Sequence, residues 1–309
     1  MCTEKVAILM ATYQGEKYIR QQIDSLLDQT YGRWTAYIHD DGSTDNTKFI
    51  LEEYSNKYPD KFVVIEAESC GGAKNNFLYL MKQVVEPYIM FCDQDDVWDD
   101  DKIQVSIDAI KDLERKHREV VPCLVFSDLK VVDENLNIIA DSMTEFQKLD
   151  CKSLRTIDIA NQNVVTGCTT IINKATLEMS NRYIDSSKII MHDWWCAMVA
   201  AEFGEISYID RPLIKYRQHS SNSVGAKDAN SPGYVMSKLK RIYDIKESIK
   251  HTRLQAEEFS RVFELTEENP VYVLSTCGEK SRNQRRKFYK EYSISKTGFF
   301  RKIGFWIFG

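Results

Sequence analysis

Asp93, Asp95 and Asp96 follow directly on the apolar run Tyr88-Ile89-Met90-Phe91-Cys92. A short apolar run bounded by polar residues reads as a buried strand, and strands of an open α/β sheet deliver their end residues to the edge where ligands bind. Three carboxylates within four positions repel one another unless a cation lies between them. Hard divalent cations take oxygen ligands and bridge carboxylates to phosphates, so the cluster implies a metal-held, phosphate-bearing substrate. Taken alone, it is equally well a solvated acidic turn that caps the next helix.

Two further polar clusters end strand-like runs. Thr12-Tyr13-Gln14-Gly15-Glu16 follows Val6–Ala11, and Asp40-Asp41-Gly42-Ser43-Thr44-Asp45 follows Ala36-Tyr37-Ile38. An Asp at a strand end can accept from a base N–H or a sugar hydroxyl. Asp-Gly-Ser-Thr-Asp is also ordinary turn and cap chemistry, and what favours a ligand site is three clusters on one edge. Asp193 begins the helical run His192–Phe203, where a carboxylate is either a helix-start residue or a general base. His219 lies just past a strand, where a lone His is more often a surface residue, and His192 carries no chemical role.

The elements that position these groups alternate. Val6–Ala11, Ala36–Ile38, Phe62–Ile65 and Tyr88–Cys92 read as strands. Between them lie helical patterns: Glu16–Gln29, a segment from Thr44-Asp45 through Tyr54 with Phe49 and Ile50 inward, and Asn76–Val85. That order predicts a parallel sheet covered on both faces. Cys123–Val132 and Ile138–Ile139 read as a hairpin, Val164–Ile172 and Ile206–Tyr216 as strands. From Ser231 the pattern is helical, with Val235, Leu239, Ile242, Ile245 and Ile249 on one face, and Gly225–Gly233 is the expected boundary.

The 309 residues carry a formal net charge of −5, which argues against nucleic acid as a partner. From Lys280 to Gly309 there are nine Lys/Arg and one Glu, a net +8, leaving −13 for the rest of the chain. Phe299, Phe300, Phe305, Trp306 and Phe308 accompany that charge, a combination suited to an anionic membrane interface. A helix packing its aromatic side on the catalytic domain is the alternative. Eight Cys without CxxC spacing, no secretory signal and no apolar run of about 18 residues point to a reduced cytosolic protein without a spanning helix.

Taken as a set, Ala11–Glu16, Asp40–Thr47, Gly72-Ala73-Lys74-Asn75-Asn76-Phe77, Asp93–Trp98, His192-Asp193-Trp194-Trp195 and Tyr216-Arg217-Gln218-His219 resemble family 2 glycosyltransferases of the GT-A fold, in the family's order over roughly residues 5–225. The Asp93–Trp98 and Tyr216–His219 segments are most similar to the bacterial rhamnosyltransferase branch, which usually has Asn where this chain has Gln14. The resemblance implies an α/β fold, a mixed, mostly parallel sheet with helices on both faces, over residues 1–225, and a C-terminal helical appendage over 226–309. It implies that Thr12, Tyr13, Glu16, Asp41, Lys74, Asn75, Asp93, Gln94 and Arg217 surround a nucleotide sugar. Asp93 and Asp95 would form a DxD pair, with Asp95 and His219 on Mn²⁺ or Mg²⁺ and Asp193 as the base. Asp96, Trp98, Trp194 and Trp195 would meet the sugar or acceptor, one of the two adjacent Trp stacking and the other filling core. The implied activity is inverting transfer from dTDP-β-L-rhamnose, or another nucleotide sugar, to a lipid-linked saccharide at the cytosolic membrane face. The sequence is compatible with a homodimer. A nucleotidyltransferase is disfavoured because the Thr12–Glu16 turn has one Gly and an acidic residue where a triphosphate would need Gly and a base. A silent sugar-nucleotide-binding protein is disfavoured by Asp95 and Asp193.

Overall fold

The computed structural model describes residues 4–219 and 242–308. Its strands are β1 (Val6–Thr12), β2 (Trp34–Asp40), β3 (Phe62–Val64), β4 (Tyr88–Cys92), β5 (Val97–Trp98), β6 (Cys123–Val132), β7 (Ile138–Ala140), β8 (Thr170–Asn173) and β9 (Glu205–Arg217). They form one sheet in the order β3-β2-β1-β4-β8-β6-β9-β5, with β7 paired to β6. From the pairings, β1, β2, β3, β4, β6 and β9 run one way and β5, β7 and β8 the other. The expected mixed, mostly parallel α/β sheet is therefore present.

Alternation along the strands fills two cores. Ala7, Leu9, Ile89 and Phe91 face one layer; Val6, Ile8, Met10, Tyr88, Met90 and Cys92 face the other. Helices α1 (Ile19–Leu27), α2 (Thr47–Lys57), α3 (Ala73–Leu80) and α4 (Lys102–Glu114) cover the sheet, followed by the short α5 (Met143–Gln147), α6 (Thr156–Asn161) and α7 (Lys174–Ser180), then α8 (His192–Phe203). In α2 the buried stripe is Thr47, Ile50, Leu51 and Tyr54, whereas Phe49 is 65% exposed. Successive helix positions are turned by about 100°, so Phe49 and Ile50 do not share the inward face as expected.

Register brings the chemistry together. Thr12 lies opposite Asp40 and Met10 opposite Cys92, so β1, β2 and β4 end on one edge. Antiparallel β8 starts at that edge, and β9, parallel to β6, ends there at Arg217 beside Val132. The expected Val164–Ile172 strand is shorter: only Thr170–Asn173 is strand, and Gly167–Thr169 is a 3₁₀ turn. Asn163 explains part of this, since its side chain accepts from the Val165 N–H (2.9 Å) and donates to the Val165 carbonyl (2.8 Å), competing with a ladder.

The C-terminal helices are α9 (Ile242–Val262), α10 (Pro270–Thr276), α11 (Arg282–Glu291) and α12 (Phe299–Phe308). The expected boundary at Gly225–Gly233, with Val235 and Leu239, lies outside the described residues. Phe259, Val271, Leu274, Phe288, Tyr289 and Phe305 belong to the same buried cluster as Phe91 and Trp195. The tail's aromatic residues are therefore divided. Phe305 is 3% exposed against Tyr289 (ring centroids 4.6 Å), while Trp306 and Ile307 are 38% and 48% exposed. Among the described residues no helix is long and apolar enough to cross a membrane. Phe305→Ala should lower unfolding free energy by about 3–5 kcal/mol in urea titrations, whereas Trp306→Ala should stay within about 0.5 kcal/mol of the parent. Equal effects would place both rings in the same environment.

Candidate active site

A cavity of about 910 Å³ opens at the shared strand edge. Thr12, Tyr13, Asp41, Asp93, Gln94, Asp95, Asp193 and Trp194 line it, as expected of ligand-contacting residues. The Tyr13 backbone is fixed by Gln94, whose carboxamide accepts from the Tyr13 N–H and donates to the Tyr13 carbonyl, both at 2.8 Å. Gly15 permits this, because a Cβ there would lie 2.3 Å from the Gln94 Oε1. Gln14 has φ 50°; its carboxamide accepts from the Thr44 and Asp45 N–H groups (3.1 and 3.2 Å) and donates to the Thr44 hydroxyl (2.9 Å). The amide that departs from the usual Asn thus ties the first two strand-end loops together.

Asp41 accepts from the Ser69 hydroxyl (2.8 Å) and from the N–H groups of Cys70, Gly71 (3.1 Å) and Gly72 (2.6 Å). Burial pushes its carboxyl up, but the hydrogen bonds from Gly72, Ser69, Cys70 and Gly71 prevail and hold it below the usual carboxylate range. The Thr12 hydroxyl donates to Asp40 Oδ2 at 3.0 Å.

Negative charge is concentrated beyond β4. Burial, then the Asp95 and Asp193 carboxylates, push Asp93 up; burial, then Asp95 and Asp93, push Asp96 well up. Asp95 Oδ2 lies 2.7 Å from His219 Nε2, and the His219 ring packs on Tyr18 with centroids 4.8 Å apart. Arg217 is 1% exposed, and its guanidinium donates to the carbonyls of Asp95 (2.7 Å) and Glu134 (2.6 Å) and to Gln21 Oε1 (2.6 Å). Its own N–H donates to Asp96 Oδ1 at 3.0 Å. The end of β9 therefore fixes the acidic loop main chain and presents His219 to Asp95.

Asp193 sits at the start of α8, in the same cavity. Burial raises its carboxyl to about 6, against the N–H groups of Trp194 (2.6 Å) and Gly167. Gly167 allows the close approach, since a Cβ there would meet His192 Nε2 at 3.0 Å and Asp193 Cβ at 3.5 Å. His192 stacks on Phe77 (centroids 4.1 Å), and burial lowers it to about 3, keeping the imidazole neutral.

The Asp95 carboxylate and the His219 imidazole pair directly with one another, beside carboxylates whose mutual repulsion a divalent cation would relieve. That donor set fits Mn²⁺ or Mg²⁺. Asp93, Asp96 and Cys168 form a second group with ligand atoms within 4.8 Å of one another. Lys102 is buried beside that group, its ammonium 3.9 Å over the Trp98 ring and within electrostatic reach of Cys168 and Asp96, so a protein cation already faces it.

The remaining expected site residues lie away from the cavity wall, each held by a protein partner. Glu16 accepts from the Asn46 main-chain and side-chain N–H groups, both at 2.9 Å, ahead of α2. Asn75 donates to the Cys70 carbonyl (3.1 Å), and Lys74 to the carbonyls of Ser186 (2.9 Å) and Ile189 (3.1 Å). Asp96 and Trp195 are fully buried and Trp98 is 3% exposed. The Trp195 indole donates to the Ser180 carbonyl at 2.9 Å and packs on Phe259, so Trp195 fills core while Trp194 lines the cavity. The wall also takes in Asn163–Gly167, Ile190, Met191 and Tyr216, none of which was expected to meet a ligand. Val164, Val165, Ile190 and Met191 are apolar and carry no chemical signal, and Asn163, Thr166 and Gly167 lie in or next to a run that reads as an ordinary strand.

The family model described as glycosyl transferase family 2 matches residues 7–175. The dTDP-rhamnosyl transferase RfbG of Shigella flexneri is 35% identical over 227 residues, 70% of this chain and 74% of that relative. Among solved structures, residues 1–349 of S. aureus TarS in complex with UDP align with a TM-score of 0.54 at 19% identity, covering 86% of this chain and 73% of that one. The mannosyltransferase PcManGT from Pyrobaculum calidifontis, in complex with GDP-Man and Mn²⁺, aligns with a TM-score of 0.52 at 13% identity, covering 94% and 74%. At such identities these two likenesses are of fold.

Asp193 also makes the site's stability depend on pH. A carboxyl raised to about 6 from 3.8 favours the fold in its protonated form. Its contribution is complete below pH 4 and is lost as pH rises through about 6, a cost of about 3 kcal/mol at neutral pH. Asp193→Asn removes that cost and keeps an acceptor for the Trp194 N–H. In chelator-treated protein, its melting temperature should exceed the parent's at pH 8 by more than at pH 5. A gap independent of pH would mean that Asp193 ionises as freely as in the unfolded chain.

Proposed function

The chain belongs to glycosyl transferase family 2 and is a glycosyltransferase, and from that premise we propose inverting transfer of L-rhamnose from dTDP-β-L-rhamnose to a saccharide acceptor. The carrying observation is that Asp193 shares one cavity with Asp93 and Asp95. The donor sugar is suggested by the rhamnosyl relative, the base-and-ribose role of Thr12, Tyr13 and Asp41 by their place at the ends of β1 and β2.

The acceptor hydroxyl attacks the anomeric carbon as its bond to the diphosphate oxygen breaks and dTDP leaves. Asp193, ionised above about pH 6, takes the hydroxyl proton. Asp95 and His219 would hold Mn²⁺ or Mg²⁺, with Asp93 on the ribose or a metal-bound water; the ion, when bound, neutralises charge developing on the leaving diphosphate. Arg217 acts by holding the Asp95 carbonyl, which keeps the acidic loop facing the donor. Trp194 offers an aromatic wall to the acceptor sugar.

The acceptor is lipid-linked, and the enzyme works on the inner face of the cell membrane as a peripheral protein. Exposed Arg282, Arg286, Lys287 and Lys290 on α11, together with Trp306 and Ile307 on α12, support that reading, and Arg282 donates to the Ile307 carbonyl at 2.9 Å, joining the basic and apolar parts.

Incubation with dTDP-rhamnose, UDP-glucose, UDP-GlcNAc and GDP-mannose in Mn²⁺ should consume dTDP-rhamnose and release dTDP. Preferred turnover of a UDP sugar would replace the donor but keep the reaction class, and release of inorganic diphosphate would overturn glycosyl transfer. Asp193→Asn should lower transfer about 10²-fold or more at unchanged donor affinity, and Asp95→Ala should abolish the Mn²⁺ enhancement of dTDP binding in calorimetry. The full chain should sediment with anionic but not neutral vesicles, less so as salt rises; indifference to anionic vesicles at low salt would reject the membrane surface.

A further inference from the structure

The stretch that delivers Asp193 to the cavity, 184–191, has no regular structure beyond the 3₁₀ turn Ser186–Lys188. Several of its main-chain groups are held by side chains distant in sequence. Glu258 of α9, fully buried, accepts through Oε1 from the N–H groups of Ile184 (2.8 Å) and Asp185 (2.7 Å), while its other oxygen accepts from Arg261. Gln255, three residues earlier and also fully buried, accepts from the Ile190 N–H at 2.8 Å and reaches Met198 Sδ of α8 at 3.5 Å. Residues three apart share a helix face, so one face of α9 grips both ends of the stretch. On the carbonyl side, Lys74 of α3 holds Ser186 and Ile189.

A buried carboxylate is stable only with its hydrogen bonds made. Here those bonds go to the main chain of the stretch leading into α8. Met191, at ψ 150°, is the last residue before the helix, and Asp193 is in its first turn. Any slippage of 184–190 therefore carries Asp193 with it. The donor side of the cavity is built from the ends of β1, β2 and β4 and from residues 69–73, and neither Glu258 nor Gln255 bonds to any of it.

We propose that Glu258 and Gln255, opposed by Lys74, are positioning residues that hold Asp193 where it can take the acceptor's proton. The proposal rests on the glycosyl-transfer reading and adds to it a role for the C-terminal helix in the chemistry itself.

The test uses the full chain with Glu258→Leu, Glu258→Gln and Lys74→Met, each compared for melting temperature, dTDP affinity with Mn²⁺, donor KM and kcat at saturating acceptor. Glu258→Leu should lower kcat tenfold or more with dTDP affinity and donor KM within twofold. Glu258→Gln keeps an oxygen for both N–H groups and should recover kcat to within threefold of the parent. Lys74→Met, at a half-buried site less prone to unfold the chain, should lower kcat several-fold with the same unchanged donor terms, and it decides the matter if Glu258→Leu does not fold. Parent-like kcat in a folded Glu258→Leu, or in Lys74→Met when it alone folds, would overturn the clamp. So would equal losses in kcat and donor affinity. If the parent chain transfers no sugar from any donor, the glycosyl-transfer reading falls and the proposal with it; an active parent matched by its variants sinks the clamp alone.

Discussion

Too much negative charge in too little water is the constraint on which this structure depends. Asp93, Asp95, Asp96 and Asp193 stand at one sheet edge, three of them within four residues of the loop between β4 and β5. Left to themselves they would protonate or force the edge open. The fold answers with groups brought from far along the chain, the Arg217 N–H on Asp96 and the His219 ring on Asp95, and with near ones, Lys102 behind Asp96 and the N–H of Trp194 on Asp193. A divalent cation, and a ligand that arrives with one, would relieve the repulsion that remains.

Arg217 shows how the same residues also organise the scaffold. Its guanidinium joins the acidic loop, the β6–β7 turn at Glu134 and α1 at Gln21, with the Tyr18 ring 4.5 Å away. A planar cation with five donors suits such a junction. Lysine would supply the charge and three donors, but from one nitrogen, without the spread of the planar fork that reaches three separate segments. The acidic loop is thus held through its main chain, leaving the Asp95 side chain turned to His219.

What could be read from the sequence was what local pattern determines. β1, β2 and β4 and the polar residues at their ends were legible because a buried parallel strand is an uninterrupted apolar run. The α8 boundaries, His192 to Phe203, were legible too. Helix α4 went unread although Ile103, Ile107, Ile110 and Leu113 recur at helical spacing and are buried. Roles were harder than places. Lys74, Arg217 and Trp195 have the right types for a ligand site, yet their partners Ser186, Glu134 and Phe259 lie 64 to 112 positions away, where local spacing says nothing. Type and spacing locate an edge; which side chains the protein keeps for itself depends on contacts that only the folded chain brings about.

The grip of α9 on the stretch before Asp193 has a consequence for biosynthesis. Chains emerge from the ribosome N-terminus first, and domains fold as they appear. The strands that form the donor edge are complete by Cys92, but Ile184 and Asp185 meet Glu258 across separations of 74 and 73 residues, and Ile190 meets Gln255 across 65. A nascent chain released as far as α8 therefore has the ends of β1, β2 and β4 in place while the stretch before Asp193 still lacks its α9 partners. On the proposed reading, the Asp193 side of the pocket is set only once α9 has left the ribosome, so a polypeptide that stops short of it keeps the donor edge but lacks the contacts that place Asp193.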